Sequence, residues 1–116
     1  MGLAMQLSTQ AVLEHHLDAF YQGIDAVMDD FTDDSVIITP DATYRGLGEI
    51  RAFFTALIAG LPAGFDDAVK ITRQEVVDEV AFLVWEANPW FPFCTDTFVV
   101  RNGKITYQTF AAVAAP

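Results

Sequence analysis

Apolar residues recur at intervals of three and four through the first half of the chain. Beyond Ala68 they alternate or run together, so the sequence reads as helices followed by sheet. Val12, Leu13, His16, Leu17, Phe20 and Ile24 form the first stripe; Ser8 or Thr9 is placed to cap this helix, which runs to about Gln22 with Gly23 as its stop. Asp25 is placed to cap a short second helix ending near Phe31. Ile50, Phe53, Phe54, Leu57, Ile58 and Leu61 trace a third stripe of the kind that packs on a core. The predicted strands are Ala68–Val77, Val80–Ala87, Cys94–Arg101 and Lys104–Ala112, the last two joined by the hairpin dipeptide Asn102-Gly103.

Two of these strands are apolar on both faces. Phe82 and Val84 alternate with Leu83 and Trp85, and Phe98 and Val100 flank Val99. Helices on one face of a sheet leave the other wet, so the second face is expected to meet another copy of the chain, with Trp85 and Val99 in the contact. The expected state is a homodimer.

Between the first two helices and the third lies FTDDSVIITPDATYRGLGEIRAFF, Phe31 to Phe54. It reads as an aspartate-rich turn, a β-branched strand, a Pro-Asp corner, a short Tyr-Arg strand, a glycine loop and an amphipathic helix. Followed by the sheet that ends in TDTFVVRNGKITYQTF, this order resembles the nuclear transport factor 2-like superfamily, which includes SnoaL-like polyketide cyclases and ketosteroid isomerase. The resemblance spans nearly the whole chain. It implies an α+β fold, a cone in which a strongly curved mixed or antiparallel sheet wraps around about three helices from the N-terminal half. That fold carries enzymes, binding modules and scaffolds alike.

Length and composition narrow the picture. A chain of 116 residues is expected to form one domain, residues 1–116. Its 53% hydrophobic content, with ten Phe, exceeds what a small core needs, and a lined cavity or a subunit interface would absorb the surplus. A net charge of −10 opposes binding to nucleic acid and to anionic membranes, and favours solubility. The N-terminal segment has no basic residue ahead of an apolar run, and Gln6 stands where a myristoylation motif needs Ser or Thr. Cys94 is the only cysteine, which suits a reducing compartment. A soluble cytoplasmic protein is expected.

Several apparent motifs carry no chemistry. GLGEIR has Arg51 where a dinucleotide loop needs its third glycine. Asp29, Asp30, Asp33 and Asp34 lack the glycine and terminal glutamate of a calcium loop, and read as a solvated turn and helix cap. His15 and His16 are adjacent, hence about 100° apart on a helix, and do not chelate as an i, i+4 pair does. His15 is expected to face out beside Glu14 and Asp18. No metal and no other cofactor is expected.

Polar residues among apolar ones are the candidates for function. His16 lies on the buried stripe of the first helix, as a satisfied core histidine or a cavity group. Asp96 shares a strand face with Phe98 and Val100. A carboxyl there is costly unless paired or neutral, although a position near the strand's wet end is the alternative. Asp41 and Glu86 are candidate bases; the first also suits an ordinary Pro-Asp turn, and the second nears a strand end. Arg45, beside Tyr44, would pair with acidic neighbours to fix the helix entrance. PWFPF, Pro89 to Phe93, is a stiff aromatic rim that gates a cavity or covers a partner.

The resemblance adds roles residue by residue. Ketosteroid isomerase-like sites join a carboxylate base to an oxyanion hole made of a tyrosine and a protonated aspartic acid. Asp96 matches that aspartic acid. His16 falls on the oxyanion tyrosine, Thr39 on the base and Phe54 on a supporting tyrosine, so the familiar steroid reaction is not expected. Two functions follow. One is a small isomerase, cyclase or dehydratase that moves protons on a small hydrophobic substrate, with His16, Asp96 and Asp41 as catalytic groups; Phe20, Thr39, Tyr44, Phe54, Glu86, Trp90 and Phe98 would bind the ligand. The other is a noncatalytic, dimeric binding or scaffold module.

Overall fold

A computed structural model describes residues 7–116; the reading of the extreme N-terminus, residues 1–6, lies outside the described residues. Helix α1 (Thr9–Ala19) begins where the Ser8 hydroxyl accepts the Ala11 N–H at 3.1 Å. It closes at Phe20, short of Gln22, because the Tyr21 N–H donates to the Asp18 carbonyl and tightens the last turn before Gly23 bends the chain at φ 115°. Helix α2 (Ile24–Met28) follows directly. Gly23 precedes it as cap, so Asp25 sits in the first turn, where a negative charge favours the helix dipole.

Strands β1 (Val36–Ile38) and β2 (Thr43–Arg45) pair across the Pro40 turn. The chain then enters α3 (Gly46–Ala59) without an intervening loop. Gly46 adopts φ 80°, and a Cβ there would meet the Asp33 carbonyl oxygen at 3.2 Å, so glycine is needed at this corner. Arg45 serves the corner through its backbone, its N–H donating to Glu49 Oε1 at 2.9 Å. A four-residue helix, α4 (Phe65–Ala68), precedes β3 (Val69–Val77), β4 (Val80–Ala87), β5 (Phe91–Arg101) and β6 (Lys104–Val113). β5 starts three residues earlier than its alternation suggests, because Phe91 pairs with Ala87 across a tight turn and draws the PWFPF segment into the sheet.

The six strands lie in the order β2-β1-β6-β5-β4-β3; β1 runs parallel to β6 and every other pair is antiparallel. Register shifts at Ile71/Arg73, Trp85/Ala87 and Val99/Val100 bend the sheet without closing it. The result is an α+β cone. Its core is the concave face, where Leu83, Phe98 and Ile105 meet Val12 and Leu13 of α1 and Ile50 and Phe54 of α3. At Asn102-Gly103 both residues take positive φ, 54° and 73°, as a two-residue turn between twisted strands requires.

Three side chains depart from the sequence reading. Trp85 faces the concave side with Leu83, not the outer face, which carries Phe82, Val84 and Val99. Asp30 is buried, not solvated: it follows α2, and the Ile105 N–H from β6 donates to its carbonyl at 2.7 Å. His15 is half-buried against it. No helix among the described residues is long and apolar enough to cross a membrane.

Candidate functional site

A cavity of about 700 Å³ opens between the concave sheet face and helices α1, α3 and α4. Phe20, Phe54, Trp85, Phe98 and Phe110 make its walls largely aromatic, and His16, Asp96 and Gln108 supply buried polar groups. Strand parity explains the placement. Asp96 and Phe98 alternate inward on β5, and Gln108 and Phe110 do the same on β6.

Asp96 is tied on both oxygens. Trp85 Nε1 donates to Oδ2 at 2.8 Å and Gln108 Nε2 to Oδ1 at 3.0 Å. Burial raises its pKa above 3.8; those two hydrogen bonds and the nearby His16 pull it partly back, but desolvation dominates. Burial thus favours the neutral form more than it would be favoured in an exposed carboxyl. Cys94, two residues along the same strand face, is buried and its thiol is pushed up to about 11, first by burial and then by Asp96. A thiol so shifted is a poor nucleophile at neutral pH.

His16 sits in a cage of four phenylalanines, with Phe20, Phe31, Phe54 and Phe98 all presenting edges or faces at centroid distances of 5.2 to 6.0 Å. Its Nδ1 lies 3.5 Å from Asp30 Oδ2, while Asp30 Oδ1 is 2.7 Å from His15 Nδ1. The Gln108 Oε1, His16 Nδ1 and Asp30 Oδ2 atoms are buried with no hydrogen-bond partner. With Nδ1 directed at Asp30, Nε2 is the ring nitrogen left for the cavity. The site thus joins a carboxyl group, an imidazole and an unpartnered amide oxygen inside an apolar shell.

Residues 13–108 match the SnoaL-like domain family. The chain belongs to that family. No curated protein matches the sequence. Among solved structures it is similar to an NTF-2-like protein of unknown function from Burkholderia xenovorans, at 21% identity and TM-score 0.73, over 93% of this chain and 84% of that one. A candidate ketosteroid isomerase from Kribbella flavida shares 13% identity and TM-score 0.70, over 93% and 79%. A candidate polyketide cyclase from Sinorhizobium meliloti shares 19% and 0.67, over 85% and 92%. At such identities the likeness establishes the fold alone.

Within this SnoaL-like domain, His16, Asp96, Phe20, Phe54 and Phe98 all line the one cavity. Five other residues singled out in the sequence do not. Thr39 closes the Pro40 turn, its hydroxyl accepting the Asp41 and Ala42 N–H groups at 3.2 Å, and Asp41 projects from that turn into solvent. Tyr44 packs on Phe53 in a shallow groove on another side of α3. Glu86 has the outward parity of β4, opposite Lys70, and accepts from Asn88 Nδ2 at 2.6 Å. Trp90 lies beside Gly64 at the rim, where only Phe91 of the PWFPF segment reaches the lining. Trp85 and Gln108 line the cavity and Asp30 stands behind His16, whereas the sequence reading puts Trp85 on the outer face and Asp30 in a solvated turn and does not single out Gln108. Gln108 carries no signal in the sequence, since Thr106, Tyr107 and Thr109 surround it with other polar groups.

Proposed function

We propose that this SnoaL-like chain is a cofactor-independent proton-transfer enzyme of the isomerase, cyclase or dehydratase class, acting on a small apolar substrate that carries a carbonyl oxygen. The observation that carries this reading is that buried Asp96, its pKa raised by desolvation, and buried His16 line the same aromatic cavity. His16 Nε2 would take a proton from the carbon beside the carbonyl, and the C–H electron pair would move into an enolate. Asp96 would stabilise the developing oxygen charge by hydrogen bonding. Return of the same proton at a different carbon balances an isomerisation. Relatives of this fold bear the names of an isomerase and a polyketide cyclase, which supports that class.

The test works without a named substrate. Apolar ketones and phenols are screened by thermal shift, and ketone ligands are then incubated in D2O and followed by NMR. Deuterium should enter at the carbon beside the carbonyl with the natural protein and not with His16→Gln. Asp96→Asn should weaken binding.

A second reading is a noncatalytic binding module. The outward placement of Thr39, Asp41 and Glu86 favours it, since it leaves His16 as the one base of those considered. Tight binding with no exchange would select it. Under either reading the assembly is proposed to be a homodimer through the outer sheet face, where Val80, Phe93, Tyr107 and Val113 are exposed. A single buried, free Cys94 supports a cytoplasmic setting.

A further inference from the structure

Asp30 is a buried carboxylate shared by two neighbouring histidines. Adjacent residues on a helix diverge by about 100°, and Asp30 occupies the angle between the His15 and His16 rings. Its backbone is pinned from the opposite side by the Ile105 N–H at 2.7 Å, so the sheet as well as α1 fixes where the carboxylate stands. Side-chain exposure falls from 39% at His15 to 5% at Asp30 and 2% at His16. The three groups therefore form a row from solvent to the cavity wall.

A carboxylate only accepts hydrogen bonds, so the imidazole nitrogen that faces it is favoured as N–H. The opposite tautomer would set a nitrogen lone pair against the lone pairs of Asp30 Oδ2 in a site without water access, a costly arrangement. At 3.5 Å the His16 Nδ1 to Asp30 Oδ2 contact is longer than a hydrogen bond, and neither atom has another partner. An approach of about half an ångström brings both within bonding range. His15, at 2.7 Å, occupies the other carboxylate oxygen and limits rotation of the group.

We infer that Asp30 is a positioning residue: it holds His16 as the Nδ1–H tautomer and leaves a bare Nε2 for the cavity, with His15 bracing the carboxylate from the solvent side. Its catalytic meaning rests on the proposed role of His16 as base; the tautomer does not. An orienting carboxylate of this kind sets which nitrogen accepts the substrate's proton.

The measurement is 15N NMR of the imidazole rings of the full chain at alkaline pH, where imidazoles are neutral. Only two histidines are present, so His15→Gln assigns the signals, and its amide keeps a donor to Asp30. The natural protein should show His16 Nδ1 at the protonated-nitrogen shift and Nε2 at the bare-nitrogen shift, with the same pattern in His15→Gln. In Asp30→Asn both signals should move toward an average, because an amide satisfies either tautomer by rotating. A bare Nδ1 in the natural protein overturns the inference whether or not any variant folds. An unchanged pattern in folded Asp30→Asn overturns it as well. Absence of deuterium exchange on a bound ketone would count against the enzyme reading and leave the tautomer result standing.

Discussion

The Trp85 indole N–H donates to Asp96 Oδ2 at 2.8 Å, reaching diagonally from β4 to β5 on the concave face. Trp85 is itself stacked on Phe110 of β6, with ring planes 15° apart, so the donor is held by packing before any ligand arrives. With Gln108 on the other oxygen, the carboxyl group is oriented by two strands. A group fixed in this way stabilises a developing charge without first reorganising.

Burial sets the sign of one pH effect. The folded-state pKa of Asp96 lies above 3.8, so between the two values the native state keeps a proton that the unfolded chain has released. Its contribution is then most favourable at low pH and is lost as pH rises toward the folded value, each unit of elevation costing about 1.4 kcal/mol. Asp96→Asn removes this dependence, and Gln108 can rotate its amide to suit the new side chain. Melting curves from roughly pH 4 to pH 9 should show the variant gaining on the natural protein as pH increases. Parallel curves would mean that Asp96 titrates normally.

Phe54 and Phe98 are the largest fully buried side chains among the described residues, and Phe54 touches the His16, Phe20, Phe31 and Phe53 rings. Phe54→Ala should cost about 3–5 kcal/mol in urea unfolding, since it adds a cavity to the lost transfer energy. Phe53→Ala, at a half-buried position, should cost clearly less.

The outer sheet face gives the assembly prediction. Sedimentation should find a dimer at concentrations on the order of micromolar, and Val84→Glu or Val99→Glu should shift it to monomer by placing a charge in a desolvated patch. Trp85→Glu should act differently. It places a second carboxyl beside Asp96 and should destabilise the subunit itself. A natural protein that sediments only as monomer removes the dimer proposal.

Steroid isomerisation by the familiar route should be weak or absent. Thr39 is committed to a turn, and His16 and Phe54 stand where the resemblance expects phenols. The assay is conversion of a 5-ene-3-ketosteroid. Robust turnover abolished by Asp41→Asn or Glu86→Gln would show that an outlying carboxylate reaches the cavity after all.

Much of the fold is legible in the residues themselves. The stripe on α3, the Ser8 cap, the turn at Asn102-Gly103 and the end of β4 each depend on contacts within a few positions, and local propensity decides them. His16 and Asp96 stand out for the same reason, each a polar residue in an apolar periodic segment. The orientation of β4 is different. Both of its parities are apolar, so alternation cannot say whether Trp85 or Val84 faces inward; the helices packed on one side of the sheet decide that. Asp30 reads as one of a solvated run of aspartates, yet it is buried in the fold, where the N–H of Ile105 of β6, far along the chain, donates to its carbonyl. Gln108 meets Asp96 only through the β5–β6 register, which a bulge at Val99/Val100 shifts by an amount that periodicity does not encode. The sequence thus determines which segments are helix and strand, and which polar groups are embedded among apolar ones. Tertiary structure alone decides which of those groups meet, because sheet register and face are set by contacts between residues distant in the chain.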